Sequence, residues 1–425
     1  MTSSMMPGLG LLDAYSAEVL GFGFKDADAP ADLPAPPPPA ELERLAGRVL
    51  AALARSGRRR LVLLGLGSGA LAAALAESLS AGVLCVCEQD LALVRALRSA
   101  GRLGWWRPGG AAVPDGSDGS GGSGNAILAA DSSPWALFLL LDRVGIGRAG
   151  IGLGDVLVLP NPELPPPAKA ALRPLELLLT RSRPLDVPAV TFRPRLSAAA
   201  ILSPEEPDLS GFFAQFPDWI HELALVWDAE TVPGIPVPER FAVRQSVRPL
   251  GRDFSAQRNA MLAACTGDWV LYLDADERLA PSAWAMLPAL CAVPQTTGVC
   301  AWHFPRLTPY PDAEHALMGF GLWPDVQLRL FRNAPTLRFV NTIHERLTGL
   351  AGAQALAPDV EIEHLSRLRK DAETLRRKLE GFDAASSGRV RHALSVEYPS
   401  LDRALLAAPG QDGPPRALLL PPEFA

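Results

Sequence analysis

Two acidic residues one position apart, Asp274-Ala275-Asp276, close the apolar run Val270-Leu271-Tyr272-Leu273. A continuous apolar run of this kind reads as a central buried strand. Both carboxylates then emerge at its C-terminal end, the edge at which open α/β sheets bind ligands. Two carboxylates so placed can hold a hard divalent cation, and that cation can neutralise a diphosphate. Taken alone the pattern is also an ordinary polar turn, so its neighbours decide its weight. Upstream stands Asp253-Phe254-Ser255-Ala256-Gln257-Arg258-Asn259, then a helix to Cys265. Asp253 or Ser255 suits the helix cap, and Arg258 carries planar donors fit for a base or a phosphate. Downstream, Gln327-Leu328-Arg329-Leu330-Phe331-Arg332 reads as a strand with arginines available to phosphate or acceptor. It is followed by His344-Glu345 and by Glu361-Ile362-Glu363-His364.

A second constellation lies nearer the N-terminus. The strand Arg60-Leu61-Val62-Leu63-Leu64 runs into Gly65-Leu66-Gly67-Ser68-Gly69 and an Ala/Leu-rich helix, and a second apolar run, Val83 to Val86, ends at Cys87-Glu88. Strand, glycine turn, helix, strand and acidic residue make the layout of a nucleotide-binding βαβ unit. Gly65, Gly67 and Gly69 would let backbone approach a ligand, the helix N-terminus favours anions, and Glu88 suits ribose hydroxyls. The same turn also serves as a plain strand-to-helix connection.

Stepping out from these motifs, 425 residues exceed what one core usually supports, so two α/β domains are expected. Residues 1–40 read as a flexible lead-in ending in the proline-rich Ala29 to Ala40. Residues 41–190 read as a Rossmann-like domain interrupted by a Gly/Ser-rich loop at 115–125, with prolines recurring at the boundary near 184–194. Residues 196–385 read as the second domain. It opens with the strand Ala198 to Leu202, a helix starting at Ser203-Pro204-Glu205-Glu206 and running through Phe216, and the strand His221 to Asp228. Residues 386–425 show no durable periodicity and read as an irregular tail.

Forty basic residues against 46 acidic ones give a formal charge of −6. Neither sign forms a block, so no nucleic-acid partner is implied. The odd set of cysteines, Cys85, Cys87, Cys265, Cys291 and Cys300, lacks metal-ligand spacing and reads as buried free thiols in a reducing compartment. No apolar run is long enough to cross a bilayer and no basic leader precedes one, so a cytoplasmic location without a transmembrane segment is expected.

The C-terminal half resembles family 2 glycosyltransferases. Its strand, acidic turn, helix and strand ending in Asp228 look like the opening of that family, although Ser203-Pro204 replaces a Lys-Asn pair and Ala229-Glu230-Thr231 departs from the usual continuation. The Asp253 to Asn259 block, the Asp274-Ala275-Asp276 turn, the Arg-Leu-Phe-Arg segment and His344-Glu345 continue the likeness. The resemblance implies a GT-A nucleotide-diphospho-sugar transferase fold and a nucleotide-sugar donor near Glu205, Asp228, Arg258 and Asp274. It also implies Mg²⁺ or Mn²⁺ on Asp276, with Asp274 and the late His364 beside it. An inverting transfer to a saccharide, lipid or protein hydroxyl needs a base, for which Glu345, oriented by His344, is the candidate.

The N-terminal half resembles both motif I of class I methyltransferases and the Rossmann-like domain found beside motility-associated and flagellin-modifying glycosyltransferases. Two other functions therefore stand beside the transferase: an S-adenosylmethionine-dependent methyltransferase using Gly65 to Gly69 and Glu88, and a non-catalytic scaffold carrying a decayed transferase domain.

Overall fold

The computed structural model describes residues 9–22, 33–106, 126–145, 155–190, 192–251, 253–293, 295–342, 345–369, 373, 398–406 and 415–424. The chain divides into two compact units, and the first is discontinuous in sequence. It takes Met1–Pro184 and Leu317–Pro324, with residues 398–406 also belonging to it, while the second unit takes the chain from Leu185 around those returns. The first division falls between Pro184 and Leu185. The Gly/Ser-rich stretch 115–125 lies outside the described residues.

In the first unit the apolar runs form four parallel strands, β1 (Arg60–Leu64), β2 (Leu84–Glu88), β3 (Ile127–Ala130) and β4 (Val156–Pro160), in the order β3-β2-β1-β4. This stepping out from β1 to both sides is the doubly wound pattern. Helices α3 (Ala70–Ser78), α4 (Leu91–Ser99) and α5 (Pro134–Arg143) supply the crossovers, α2 (Pro39–Ser56) precedes β1, and α6 (Pro166–Ala171) and α7 (Arg173–Arg181) follow β4. A two-residue strand, β5 (Arg183–Pro184), follows them. The N-terminal segment departs from expectation. Leu9–Gly21, read from sequence as part of a flexible lead-in, is helix α1, and its Leu12, Tyr15, Ser16 and Val19 are fully buried. Ser16 explains why: its Oγ donates to Leu128 O at 3.0 Å and accepts from Ala130 N at 3.1 Å. The helix thus caps β3, which would otherwise leave an unpaired edge.

The second unit rests on a mixed sheet. Its strands are β6 (Leu196–Leu202), β7 (Glu222–Trp227), β8 (Ala242–Val247), β9 (Trp269–Tyr272), β10 (Glu277–Leu279), β11 (Val299–Leu307), β13 (Asp325–Arg332), β16 (Ala353–Leu356), β17 (Ile362–His364) and β19 (Leu418–Leu419). Between them lie the short β12 (His315–Leu317), β14 (Arg338–Val340) and β15 (Arg346–Thr348), while β18 (Ser400–Asp402) belongs to the first unit. The main path runs β19-β16-β11-β13-β9-β6-β7-β8, with β17 joining β10 and β11 at one end. Strands β9, β6, β7 and β8 are parallel, so their C-terminal ends share one edge. Helices α8 (Leu209–Ala214), α9 (Phe254–Ala264) and α10 (Pro281–Cys291) flank the sheet, and Phe212, Phe216, Trp227, Trp284, Trp302 and Phe304 fill one face.

Local boundaries differ from the sequence reading at two places. Helix α8 starts at Leu209 rather than at Ser203, because Asp208 Oδ1 takes Gly211 N–H at 2.9 Å and provides the cap. The tail is not wholly irregular: Leu418 and Leu419 pair antiparallel with Leu356 and Ala355 and extend the sheet. All five cysteines are buried and free. Among the described residues no helix is long and apolar enough to cross a membrane.

Candidate functional site

Strand β9 is buried along its whole length and delivers Asp274, Ala275 and Asp276 at its C-terminal end. The turn closes on itself: Glu277 N donates to Asp274 O at 2.9 Å, and Asp274 N donates to Glu277 Oε2 at 3.1 Å. Glu277, which sequence reasoning left without a role, is therefore the residue that shapes the turn, and its side chain is completely buried.

A chain of alternating charges runs behind this turn. Asp274 accepts from Arg258 at 3.0 Å and from Arg329 at 2.9 Å. Arg329 also donates to Glu277 at 2.5 Å, Arg306 donates to Glu277 at 2.8 Å, and Arg306 pairs with Asp325. The guanidinium groups of Arg258 and Arg329 lie 4.7 and 4.5 Å from the Tyr272 ring centroid, so its π-face carries both cations. Burial opposes ionisation of Asp274, but Arg258 and Arg329 outweigh it and hold its carboxyl well below the usual carboxylate range. Asp274 is thus a fixed anion, with a third of its side-chain surface still exposed.

The sequence reading made Arg329 and Arg332 free for phosphate or acceptor, and the structure corrects both. Arg329 is committed to Asp274 and Glu277. Arg332 stacks on Trp269 at 4.7 Å from the ring centroid. The signal for the network was the arginine of β11, Arg306, facing Asp325 at the start of β13 across the ladder.

Strand β17 pairs with β10 so that His364 lies opposite Glu277, and Leu365 N donates to Asp276 O at 2.7 Å. This brings His364 Nε2 to 3.6 Å from Asp276 Oδ1. His364 Nδ1 faces the hydroxyls of Thr308 and Ser366 at 3.3 and 3.4 Å, which fix the ring with Nε2 towards the carboxylate. Among the described residues no group of three or more acidic, histidine or cysteine side chains gathers as a complete metal cage. The expected sharing of a metal by Asp274 is thereby revised: both of its oxygens are engaged by arginine, and the facing pair is Asp276 with His364.

Arg258 is presented by α9, which Asp253 caps through Ala256 N at 3.0 Å. Asn259 beside it clamps β14, exchanging two hydrogen bonds with Phe339 at 2.9 Å each. Arg258 Nε pairs with Glu345. Glu345 therefore reaches the Asp274 cluster, but as the partner of a guanidinium, so its carboxylate is already engaged. His344 lies outside the described residues. Asp228 follows β7 at the same sheet edge, one oxygen taken by Leu250 N at 2.7 Å. Glu205 is exposed in the turn after β6, its N–H held by Ser203 Oγ at 3.2 Å, and its described contacts do not join it to the cluster.

In the first unit Gly65, Gly67 and Gly69 all adopt positive φ, as a strand-to-helix turn requires. Glu88, expected to reach ribose hydroxyls, is buried instead. It accepts from Leu66 N at 2.7 Å, Gln89 N at 2.8 Å and Asp90 N at 2.9 Å. Those bonds use the carboxylate to hold its own turn.

Residues 239–342 match the model of glycosyl transferase family 2. That segment is a family 2 glycosyltransferase domain. The family 2 match includes Arg258 on α9, Asp274 and Asp276 after the parallel strand β9, and Arg329 on the antiparallel β13, and it accounts for the α/β, GT-A class of the C-terminal half. A TPR repeat-containing protein of Synechococcus elongatus is 43% identical over 94 residues, which are 22% of this chain and 20% of that protein. The chain thus spans about a fifth of the length of the curated relative it matches. Among solved structures, a mannosyltransferase from Pyrobaculum calidifontis in complex with GDP-Man and Mn²⁺ is 15% identical, with 60% of this chain and 76% of that one covered and a TM-score of 0.32. S. aureus TarS 1-349 is 14% identical, with 45% and 65% covered and a TM-score of 0.30. Scores of this size leave the fold to be read from the chain itself.

Proposed function

We propose that this chain transfers a glycosyl group from a nucleotide-diphosphate sugar to a hydroxyl of a saccharide, lipid or protein acceptor, with inversion and with Mg²⁺ or Mn²⁺. The observation that carries this reading is the approach of His364 to Asp276 at 3.6 Å, beside an Asp274 pinned by two arginines, in a segment of family 2. A carboxylate and an imidazole suit a cation that draws its remaining ligands from substrate phosphates and water. Such a cation, when bound, neutralises the charge that develops on the departing nucleoside diphosphate.

The chain's own residues supply the rest. Asp228 and Asp274 stand at the C-terminal ends of parallel strands, where a nucleoside binds in open α/β sheets. Asp274 serves as a fixed acceptor for ribose hydroxyls because Arg258 and Arg329 keep it ionised and aimed. Glu345 orients Arg258, and it takes the acceptor's proton only once that ion pair opens.

Calorimetry with a panel of nucleoside diphosphates, with and without Mn²⁺, tests the reading. The wild type binds at least one of them with metal dependence, and Asp276→Ala loses that dependence. A wild type that shows no metal-dependent nucleotide binding sinks the proposal.

A further inference from the structure

The glycine turn of the first unit has the shape of a phosphate cradle, and something already sits in it. Glu163, in the loop after β4, places one carboxylate oxygen 2.8 Å from Ser68 N and 2.6 Å from Ser68 Oγ. Its other oxygen lies 2.7 Å from Leu71 N in the first turn of α3. These are the donors that a helix N-terminus offers to an anion. Asn161 fixes the intruding loop, accepting from Glu163 N at 2.9 Å and donating to Gly65 O at 3.0 Å.

The glycines fit this loop closely. A Cβ on Gly67 would meet Glu163 Oε2 at 2.8 Å and Asn161 Nδ2 at 3.2 Å, and one on Gly65 would meet Leu164 Cδ1 at 2.5 Å. Their want of side chains is thus explained by close approach of the chain to itself. Other donors of the turn, Gly67 N aside, are engaged as well. Gly65 N donates to Cys87 O at 2.7 Å, Gly69 N to Leu66 O at 3.0 Å, Leu66 N to Glu88 at 2.7 Å and Ala70 N to Ser68 Oγ at 3.2 Å.

We infer that this turn is an anion cradle whose ligand is the chain's own Glu163 carboxylate, so that the first unit takes neither a dinucleotide nor S-adenosylmethionine. A ligand phosphate would have to displace a carboxylate that is tethered a few residues from β4 and therefore present at high effective concentration. Glu88 is withdrawn in the same way, its oxygens spent on Leu66, Gln89 and Asp90 rather than on a ribose. The methyltransferase function considered from the sequence loses both of its contacts. This inference stands on the first unit alone and is independent of the transferase reading.

Peptide-resolved hydrogen exchange across residues 65–75 of the full chain tests it, using inorganic phosphate, NAD and S-adenosylmethionine as probes. In the wild type, exchange of this segment is unchanged by millimolar amounts of any of them. In Glu163→Ala, the segment exchanges about tenfold faster, as expected for the loss of a charged acceptor, and inorganic phosphate restores protection. Glu163→Gln, which keeps one acceptor oxygen, falls between and serves if the alanine variant does not fold. Three outcomes each overturn the inference: protection of the wild-type segment by NAD or S-adenosylmethionine, unchanged exchange in both variants, or faster exchange that phosphate does not reverse.

Discussion

The two units present the same grammar at their sheet edges, strand, turn and carboxylate, yet they spend their acids differently. In the first unit Glu88 and Glu163 turn inward onto backbone N–H groups. These neutral donors satisfy them. In the second unit Asp274 is answered by Arg258 and Arg329, while Asp276 faces His364. The first edge answers its acids with neutral donors, and the second answers Asp274 with guanidinium groups. A strand-turn-acid motif is therefore defined less by its residues than by who supplies the counter-charge.

The largest effect should come from breaking the charged chain. Arg329 is 3% exposed and Glu277 is fully buried, so Arg329→Met leaves Glu277 with Arg306 and Asp274 with Arg258, each one counter-charge short. A loss of about 3–5 kcal/mol in urea unfolding of the second unit is expected. The first unit gives the matched test. Glu163→Gln disturbs bonds to neutral donors only, and about 1–3 kcal/mol is expected. Equal losses in the two variants would erase the contrast between a charge-paired edge and a dipole-paired one.

The contrast sharpens with pH at Asp131, the acid that ends β3. Burial raises its pKa from 3.8 to about 7, against the hydrogen bonds from Ser133 N and Tyr15 that lower it. The folded chain therefore holds a proton that the unfolded chain releases. Stability from this group is complete below about pH 4 and is lost as pH rises through about 7, a swing of a few kcal/mol. Asp131→Asn should flatten the stability profile between those limits, and an unchanged slope in chemical denaturation would assign it elsewhere. The smallest effects belong to the caps. Asp90 on α4 and Asp253 on α9 each accept one N–H at 3.0 Å. Alanine at either position should cost about 1 kcal/mol in thermal melts, alike in both units.

Local chemistry was legible in the sequence wherever the signal was local. The strand at Arg60 to Leu64, the helix ending near Cys265 and the emergence of Asp274 and Asp276 from β9 all follow from runs of apolar residues and caps. Helix α1 was not legible, because what fixes it is the open edge of β3 more than a hundred positions away. The partners of Asp274 and Glu277 come from β11 and β13, and Glu163 meets Ser68 across a separation of 95 residues. A carboxylate's type shows what it can accept, whereas its donor is chosen by topology. The shift of the α8 start to Leu209 has the same root: Asp208 is held by Arg278 and Arg369 as well as by Gly211.

The returns of the chain to the first unit bear on how the protein is made. Tyr15 donates to Asp131 at 2.7 Å and accepts from Gly319 N at 2.9 Å, and buried Arg143 donates to Leu406 O at 3.1 Å. A ribosome that has released the first 184 residues has delivered all four strands of that sheet, yet neither Gly319 nor Leu406. Vectorial synthesis therefore cannot finish the first unit first, and it must wait, partly assembled, until most of the second unit has been translated.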